Sequence, residues 1–346
     1  MTVRERVALA PYTTLGVGGA ARWFVEVTDE ATLRAAVAWA RERRVPLRIL
    51  GGGSNVVVAD AGVDALVVKI GLRGIATREV RGAVEVTAAA GEPWDDFVAF
   101  AVAHDWAGLE CLSGIPGLVG ATPMQNVGAY GQEVSDTVVA VRALDTTSAE
   151  AVTLTPAQCG FAYRDSAFKS REPGRYVVLA VTYRLRPGGA PMLGYADVAR
   201  DVAARGMTAP THSDVRTSVL AIRRTKSMVL IPGDPNRRSC GSFFTNPIVT
   251  PETAQQVAER AGDGGVPRWP QADGGVKLSA AWLIERAGFR RGQREGAVGL
   301  STAHALAIVA HDAARACDVL AFARRLQESV AERFGVRLAL EPSVWE

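Results

Sequence analysis

The chain has 346 residues, which is longer than one ordinary globular domain and predicts two or three domains. Hydrophobic residues make up 48% of it, enough to fill the cores of these domains. Its 39 basic and 36 acidic residues leave a net charge of +3, too balanced for a nucleic-acid-binding protein, so small anionic ligands are favoured instead. No apolar segment is long enough to cross a bilayer, and no apolar run follows Arg4 and Arg6, so we expect a cytoplasmic protein without membrane contact.

Cysteine and histidine are too scattered to predict a metal site. The four cysteines contain no C-x-x-C pair, and the four histidines do not cluster with them. Neither structural zinc nor a disulfide framework is therefore expected. The cysteines are Cys111, Cys159, Cys240 and Cys317.

Lysine is rare in this arginine-rich chain. A lysine kept in such a composition is a candidate for a compact point charge, a role that the planar guanidinium of arginine fills poorly. A chance surface position is the alternative for any one of them. The lysines are Lys69, Lys169, Lys226 and Lys277.

The first predicted elements are a helix and two strands around a glycine-rich turn. Residues 28–44 begin with a cap and an acidic first turn and then place Leu33, Ala36, Val37 and Ala40 on one face, which predicts an amphipathic helix. Strands are expected at 45–50 and 56–60, separated by the turn GGGSN. The turn lacks the third glycine and the following helix of a Rossmann fingerprint. It can still hold a pyrophosphate through successive backbone N–H groups; a plain glycine hairpin is the alternative.

The middle of the chain contains a long glycine-rich loop. Strands are predicted at 84–90 and 140–154 from their alternation, with a helix at 94–105. The intervening segment GLECLSGIPGLVGATPMQNVGAYGQEV, residues 108–134, has neither helical nor strand periodicity. A loop of this length is uncommon in a compact domain unless it binds something, and its glycines allow close approach of backbone to a flat or phosphorylated ligand.

The second half of the chain is predicted to mix strands with helices. The segment FAYRDSAFKSR precedes a strand at 176–186 and places Tyr163, Arg164 and Lys169 at an element boundary, where side chains can enter a cleft; an exposed pair of Arg164 with Asp165 is the alternative. Helices are expected at 213–225, near 251–263, at 279–287 and at 314–334, the last ending at Gly335. A closing strand is expected to bury Val336, Leu338 and Leu340, and the overall class is α+β.

The segment SCGSFFTNP, residues 239–247, is typical of a loop tip anchored by aromatic residues. Ser242 follows a glycine and precedes Phe243 and Phe244, an arrangement that holds a polar group in a partly dry pocket; a structural serine is the alternative. No G-x-S-x-G elbow or evident histidine base favours a hydrolase nucleophile. Cys240 is a weaker candidate for a reactive thiol, because only the nearby arginines would lower its pKa.

Several long motifs together resemble the UDP-N-acetylenolpyruvoylglucosamine reductase family, flavoenzymes of peptidoglycan precursor synthesis. The match is collinear over nearly the whole chain. The motifs are TLGVGGAA at 14–21, ILGGGSNVVVAD at 49–60, GIPGLVGATPMQNVGAYG at 114–131, YRDSAFK at 163–169, GSFFTNP at 241–247, PQADGGVKLSAAWLI at 270–284 and LEPSVW at 340–345.

The resemblance implies the fold and the domain organisation. It predicts an α+β protein with an FAD-binding module of the vanillyl-alcohol-oxidase (PCMH) type and a separate α+β substrate-binding domain. The expected FAD-binding subdomains are residues 1–70 and 71–225, and the strand 337–346 is expected to return to the second of them. The substrate-binding domain is expected at 226–336.

The resemblance also implies which residues bind ligands. The substrate-binding residues are expected to be Tyr195, which places the chain in the longer type of the family, with Lys226, Asn246 and Lys277. The residues expected to bind FAD are Leu50, Gly51, Gly52, Gly53, Ser54, Asn55, Ser113, Gly114, Ile115, Pro116, Gly117, Val119, Gly120, Ala121, Gln125, Asn126, Gly128, Ala129, Tyr130 and Tyr163.

The implied reaction is the reduction of UDP-N-acetylglucosamine enolpyruvate to UDP-N-acetylmuramate by a monomeric enzyme. NADPH gives hydride to FAD, and the reduced flavin gives hydride to C3 of the enolpyruvyl group. The family pattern implies that Arg164 holds the carboxylate, Glu341 stabilises the enolic intermediate and Ser242 protonates C2. Trp345 stands where some relatives carry an arginine. The alternatives are another FAD-dependent oxidoreductase of the same fold and a non-catalytic nucleotide- or flavin-binding protein.

Overall fold

The chain contacts divide the protein into two units, each assembled from separate stretches of sequence. The computed structural model describes residues 1–262 and 265–346. The first unit comprises Met1–Val7, Ala21–Gly53 and Asp64–Leu230, and the second comprises Ala8–Ala20, Ser54–Val63 and Ile231–Glu346. This division does not test the expected boundaries at residues 70, 225 and 336, which stay predictions.

The described residues form the following strands and helices. The strands are β1 (Arg4–Ala8), β2 (Ala20–Val27), β3 (Leu47–Leu50), β4 (Val56–Val58), β5 (Val63–Ile70), β6 (Ile75–Val80), β7 (Ala83–Ala89), β8 (Trp106–Ala107), β9 (Gly128–Ala129), β10 (Gln132–Glu133), β11 (Val138–Asp145), β12 (Ala151–Leu154), β13 (Tyr176–Pro187), β14 (Ile248–Val249), β15 (Arg268–Pro270), β16 (Val276–Leu278), β17 (Arg294–Glu295), β18 (Val298–Leu300), β19 (Ile308–Ala310) and β20 (Ser343–Trp345). The α-helices are α1 (Glu30–Arg43), α2 (Trp94–Ala103), α3 (Pro156–Cys159), α4 (Ala196–Ala204), α5 (His212–Thr225), α6 (Pro251–Ala261), α7 (Ala280–Arg286) and α8 (Ala316–Phe334).

The first unit contains two main sheets and the predicted amphipathic helix. One sheet has the order β1-β2-β5-β3, and the other has the order β12-β11-β13-β7-β6 with β8 paired to β13. Asp29 caps α1 by accepting from the Thr32 N–H at 2.7 Å, and the helix buries the four apolar residues that the sequence predicts. The core of the unit includes Trp94, Phe97 and Tyr183, whose rings pack within 6 Å of each other.

The second unit has three small sheets and a separate core under α8. The sheets have the orders β14-β16-β15, β17-β18-β19 and β20-β4. Thr250 and Ser279 cap α6 and α7, and α8 ends at Gly335 in the left-handed conformation, as predicted. The predicted helix near 251–263 ends at Ala261 in the structure, and residue 263 of that prediction lies outside the described residues.

Two predictions of secondary structure are wrong in detail, and one helix lies outside the predicted elements. The strand expected over 140–154 is a hairpin of β11 and β12, because the polar turn between them interrupts the alternation. The helix α4 was not predicted, since it buries only Val198 and Val202. The closing strand covers only Ser343–Trp345 and pairs in parallel with β4, not with a strand of residues 71–225. Val336 and Leu338 are nevertheless buried, as expected.

Of the helices in the described ranges, none is long and apolar enough to cross a membrane.

Candidate active site

Two glycine-rich segments that are far apart in sequence meet in the first unit. The turn that begins at Gly51 follows β3, and a Cβ atom on Gly52 would lie 2.7 Å from the Cα of Gly117 in the long loop. A Cβ atom on Gly120 would lie 2.5 Å from the Cβ of Ala90. These contacts leave no room for a side chain, so both segments need glycine for close packing. The structure thus brings together the two loops that the sequence predicts to bind FAD.

The long loop is held in place by an ion pair at the start of α2. The Asp95 carboxylate accepts from the Gly114 N–H at 2.6 Å and from both terminal nitrogens of Arg216, at 2.6 and 2.9 Å. Burial opposes ionisation of Asp95, but the hydrogen bonds from Arg216 and Gly114 outweigh it and lower the pKa of this carboxyl group. Trp94 adds two bonds, from its N–H to the Gly117 carbonyl and from its indole to the Leu112 carbonyl, both 3.0 Å. Hydrogen bonds from α2 therefore hold the backbone of the long loop in one conformation.

Some residues predicted to bind FAD have side chains that the protein already occupies. The buried Asn126 amide donates to Glu133 and to the Ala162 carbonyl and accepts from the Ser135 N–H. The buried Ser113 hydroxyl donates to the Glu110 carbonyl at 2.6 Å. These side chains shape the loop, and any direct contact that they make with FAD stays a prediction.

Arg164 lies against the backbone of the same loop. Its guanidinium group donates to the Gly128 carbonyl at 2.5 Å and to the Asn126 carbonyl at 3.4 Å, and it lies 5.1 Å from the centre of the Tyr163 ring. The backbone of Arg164 has a φ of 54°, an unusual left-handed conformation for this residue type. Lys169 donates to the Arg164 carbonyl at 3.1 Å and so supports this conformation.

A second cluster of the first unit combines Tyr130, Tyr195 and Lys226. The two tyrosine rings meet edge to face at 5.3 Å, and the Lys226 ammonium group lies 5.8 Å from the centre of the Tyr130 ring. Lys226 also pairs with Asp197 at 3.7 Å. Burial raises the pKa of the Tyr130 hydroxyl, and the positive charge of Arg223 opposes this shift. The family resemblance assigns Tyr130 to FAD and Tyr195 and Lys226 to the substrate. The structure places all three side chains next to each other.

Arg223 is a site candidate that the sequence analysis did not assign to a ligand. It is buried, which lowers the pKa of its guanidinium group, and it donates to the Met228 carbonyl at 2.6 Å. A Cβ atom on Gly114 would lie 3.3 Å from its Nε, and this buried Nε has no hydrogen-bond partner among residues 1–262 and 265–346. A buried cation with an unused donor beside a glycine-rich loop fits an anionic ligand such as FAD.

The second unit holds Ser242 and Glu341 on adjacent segments. The glycine before Ser242 has a φ of 72°, and the half-buried serine is followed by the fully buried Phe243 and Phe244, whose rings meet at 5.7 Å. The Glu341 N–H donates to the Phe243 carbonyl at 3.0 Å. Asn55, another predicted site residue, donates to the Glu341 carbonyl at 3.3 Å. The structure therefore brings Ser242, Glu341 and Asn55 together within this unit; Arg164 belongs to the other unit.

The remaining predicted substrate residues of this unit lie around β16 and α7. The Asn246 side chain accepts from the Ala280 N–H at 2.9 Å, at the first residue of α7. Lys277 is half-buried on β16, with its ammonium group 6.0 Å from the centre of the Trp269 ring. Trp345 is half-buried on β20, and its carbonyl accepts from the Ala59 N–H at 2.8 Å.

The alternative reading of Cys240 as a reactive thiol does not agree with the structure. Cys240 is only 4% exposed, and burial, reinforced by the Glu341 carboxylate, raises the pKa of its thiol to about 12. A thiol with this pKa is almost entirely protonated at neutral pH and is a poor nucleophile. No group of three or more His, Cys, Asp or Glu residues within the described ranges has a geometry that could hold a metal ion.

Known sequence families match both the N-terminal and the C-terminal part of the chain. The sequence family described as "FAD binding domain" matches residues 21–155, and the family described as "UDP-N-acetylenolpyruvoylglucosamine reductase, C-terminal domain" matches residues 234–345. The UDP-N-acetylenolpyruvoylglucosamine reductase of Thermobifida fusca is 47% identical and aligns over 98% of this chain and 96% of its own. That of Pseudomonas putida is 41% identical, with both chains covered completely.

A solved structure shares the fold over the full length. The crystal structure of UDP-N-acetylenolpyruvylglucosamine reductase (MurB) from Thermus caldophilus has a TM-score of 0.68 and 28% identity, and the match covers 100% of both chains. Fold and sequence together define an FAD-dependent oxidoreductase of the α+β class, which confirms the predicted fold class and the FAD cofactor. The chain belongs to the UDP-N-acetylenolpyruvoylglucosamine reductase family, as the motifs indicated.

Proposed function

We propose that the protein reduces UDP-N-acetylglucosamine enolpyruvate to UDP-N-acetylmuramate, with NADPH as the electron source. One observation carries this proposal: Glu341 is hydrogen-bonded to Phe243, the residue after Ser242, so the two motifs expected to act on the enolpyruvyl group are joined in one unit. The relatives from Thermobifida fusca and Pseudomonas putida are UDP-N-acetylenolpyruvoylglucosamine reductases, which supports the same substrate. Hydride transfer from NADPH to C3 of the enolpyruvyl group is the chemistry that FAD supplies when bound.

Ser242 is the proposed proton donor to C2. Addition of hydride to C3 leaves negative charge on C2 and on the carboxylate, and a proton must then be added to C2 to complete the reduction. The Ser242 hydroxyl is half-buried and follows a glycine, which allows close approach of a substrate. The buried Phe243 and Phe244 fix the loop, because apolar side chains in a core hold their backbone in one position.

Arg164 and Glu341 are the proposed partners in this chemistry. Arg164 would hold the substrate carboxylate through a charge-assisted hydrogen bond, since its planar guanidinium group lies beside the long loop and its fork of N–H donors matches the geometry of a carboxylate. Glu341 would stabilise the enolic intermediate. Its backbone bonds to Phe243 and Asn55 fix the position from which its side chain acts.

The nucleotide part of the substrate is assigned to four residues. Lys226 would bind the diphosphate, since a compact ammonium group is a good phosphate partner, and it would exchange its contact with Asp197 for this one. Tyr195 is 41% exposed and would cover the substrate. Asn246 and Lys277 would contact the uridine and diphosphate side.

The glycine-rich residues 51–55 and 113–130 are the proposed FAD site, together with Tyr163. The close packing of Gly52 on Gly117 and the unused buried donor of Arg223 support this assignment.

We also propose the subdomains 1–70 and 71–225, a substrate-binding domain at 226–336, and a cytoplasmic monomer. Sedimentation of the purified protein at several concentrations tests the last point.

A visible absorption spectrum followed without oxygen tests the function. The flavin band should bleach when NADPH is added and return when UDP-N-acetylglucosamine enolpyruvate follows. A band that bleaches but does not return would reject the proposed acceptor and favour another oxidoreductase of the same fold. A band that NADPH fails to bleach would reject the proposed donor.

A further inference from the structure

Lys69 follows four buried apolar residues in β5, a position where a charged side chain is costly. The strand β5 reads VDALVVKI, and its residues 65–68 are buried. Lys69 itself is half-buried, and the loss of water lowers the pKa of its ammonium group; Glu26 opposes this shift and Arg73 adds to it. A cation in such a position needs a specific partner.

The partner of Lys69 is a backbone carbonyl in the first glycine-rich turn. Its Nζ donates to the Gly51 carbonyl at 2.7 Å. Lys69 is opposite Leu50 in the parallel pairing of β3 and β5, so its side chain reaches past the end of β3 to the first residue of the turn. A charge-assisted bond of this length is among the stronger hydrogen bonds in proteins. It fixes the orientation of the peptide group between Gly51 and Gly52.

The orientation of this peptide group determines where the next N–H points. In a planar trans peptide the C=O and N–H bonds point in opposite directions, so the Gly52 N–H points away from Lys69. Over the described ranges 1–262 and 265–346, this N–H donates to no protein acceptor. Gly52 also packs on Gly117, which limits the freedom of the turn to rotate. The N–H is therefore held in one direction and is available to a ligand.

We propose that Lys69 is a positioning residue for the FAD-binding turn: its ammonium group holds the Gly51 carbonyl so that the Gly52 N–H is presented to the pyrophosphate of FAD. The inference rests on the proposed assignment of residues 51–55 to FAD. It differs from that assignment because Lys69 lies outside these residues and acts through the backbone.

The test is the affinity of the full-length, FAD-free protein for added FAD, measured by quenching of flavin fluorescence. Lys69→Met should raise the Kd about tenfold, because it removes a charge-assisted bond and frees the peptide group. Lys69→Arg keeps a cation with N–H donors, but its planar fork fits the confined carbonyl less well, so it should raise the Kd about threefold, less than Lys69→Met. The matched control is Arg48→Met, which removes an exposed positive charge from the neighbouring strand β3 and should leave the Kd unchanged. The ³¹P resonances of bound FAD should shift in Lys69→Met and not in Arg48→Met.

Three results would overturn the inference or its basis. A Kd for Lys69→Met within about twofold of the parent, with unchanged ³¹P resonances, rejects the positioning role. Equal losses in Lys69→Met and Arg48→Met indicate a general effect of charge and reject it as well. Should Lys69→Met not fold, Lys69→Gln replaces it under the same criteria.

Gly52→Ala separates this inference from the assignment beneath it. Its Cβ would lie 2.7 Å from the Cα of Gly117 and must displace the turn, so FAD affinity should fall. If Gly52→Ala binds FAD like the parent, the assignment of residues 51–55 fails. If Gly52→Ala weakens FAD binding and Lys69→Met does not, only the role of Lys69 fails.

Discussion

Replacing Ser242 with alanine should impair proton transfer to the substrate without destabilising the fold. Within the part of the chain that the structure describes, the Ser242 hydroxyl makes no hydrogen bond to protein, and the loop is held by its neighbours: the Phe243 N–H donates to the Leu306 carbonyl at 2.8 Å and the Glu341 N–H to the Phe243 carbonyl at 3.0 Å. The substitution therefore removes no hydrogen bond to protein. We expect it to change the free energy of unfolding by about 0.5 kcal/mol or less.

The kinetic effect of the same substitution should be far larger and confined to one half of the reaction. Proton transfer by a positioned side chain contributes a factor of about 100 to 10,000, which corresponds to about 3–5 kcal/mol of activation free energy. Only the step that saturates the enolpyruvyl group needs a proton at C2. Reduction of the flavin by NADPH should therefore stay within about twofold of the parent rate.

Rapid mixing without oxygen measures the two halves separately. The first mixing follows bleaching of the flavin band by NADPH, and the second follows its return with the enolpyruvyl substrate. Ser343→Ala is a control, because Ser343 is an exposed serine of the same unit. Flavin reoxidation at the parental rate in Ser242→Ala, or a greater loss in the reduction step than in reoxidation, would refute the assignment of Ser242 as proton donor.

Three further substitutions test the surroundings of the site. Lys169→Met should raise the KM for the enolpyruvyl substrate about tenfold in steady-state assays, because it releases the Arg164 carbonyl held at 3.1 Å; an unchanged KM would contradict this role. Asp95→Ala should lower the free energy of unfolding by about 2 kcal/mol at pH 7, less than for a fully buried pair because the Asp95 side chain is 38% exposed. Since the folded state lowers the pKa of Asp95, this difference should shrink as the pH falls below the unperturbed value of 3.8, and an equal loss in the exposed control Asp64→Ala would contradict the argument. Lys226→Met should weaken substrate binding about tenfold in calorimetric titration without slowing flavin reduction, and unchanged affinity would remove the diphosphate role.

The sequence predicted elements well where one periodicity dominates and less well where it changes. Residues 28–44 show a clear helical face, and the structure has α1 with the same buried residues. Residues 140–154 alternate on both sides of a polar turn, so the pattern predicts one strand where the structure has a hairpin. Helix α4 has only Val198 and Val202 to bury, which is too weak a pattern to separate it from a loop.

For the site, the motif residues were predictable, but the residues that hold them were not. The GGGSN turn and the long glycine-rich loop stand out in sequence because glycine is dense in both. The contact of Asp95 with Gly114 and Arg216 has no local signal, since an acidic residue in the first turn of a helix is expected for electrostatic reasons alone. Arg223 resembles any other basic residue near the end of a helix until its burial beside Gly114 is known.

The rarity of lysine is the sequence signal that gains most from the structure. The sequence predicts only a compact point charge, and two of the four lysines donate to backbone carbonyls of predicted site residues: Lys69 to Gly51 and Lys169 to Arg164. A carbonyl oxygen in a confined space suits a compact ammonium group on a flexible stem, whereas a planar guanidinium group needs room for its fork and usually binds two acceptors. The compact charge that lets lysine bind phosphate thus also lets it hold a backbone carbonyl in one position. At Lys69 and Lys169 the retained lysine thus corresponds to a single, confined acceptor, and the identity of that acceptor comes from the fold.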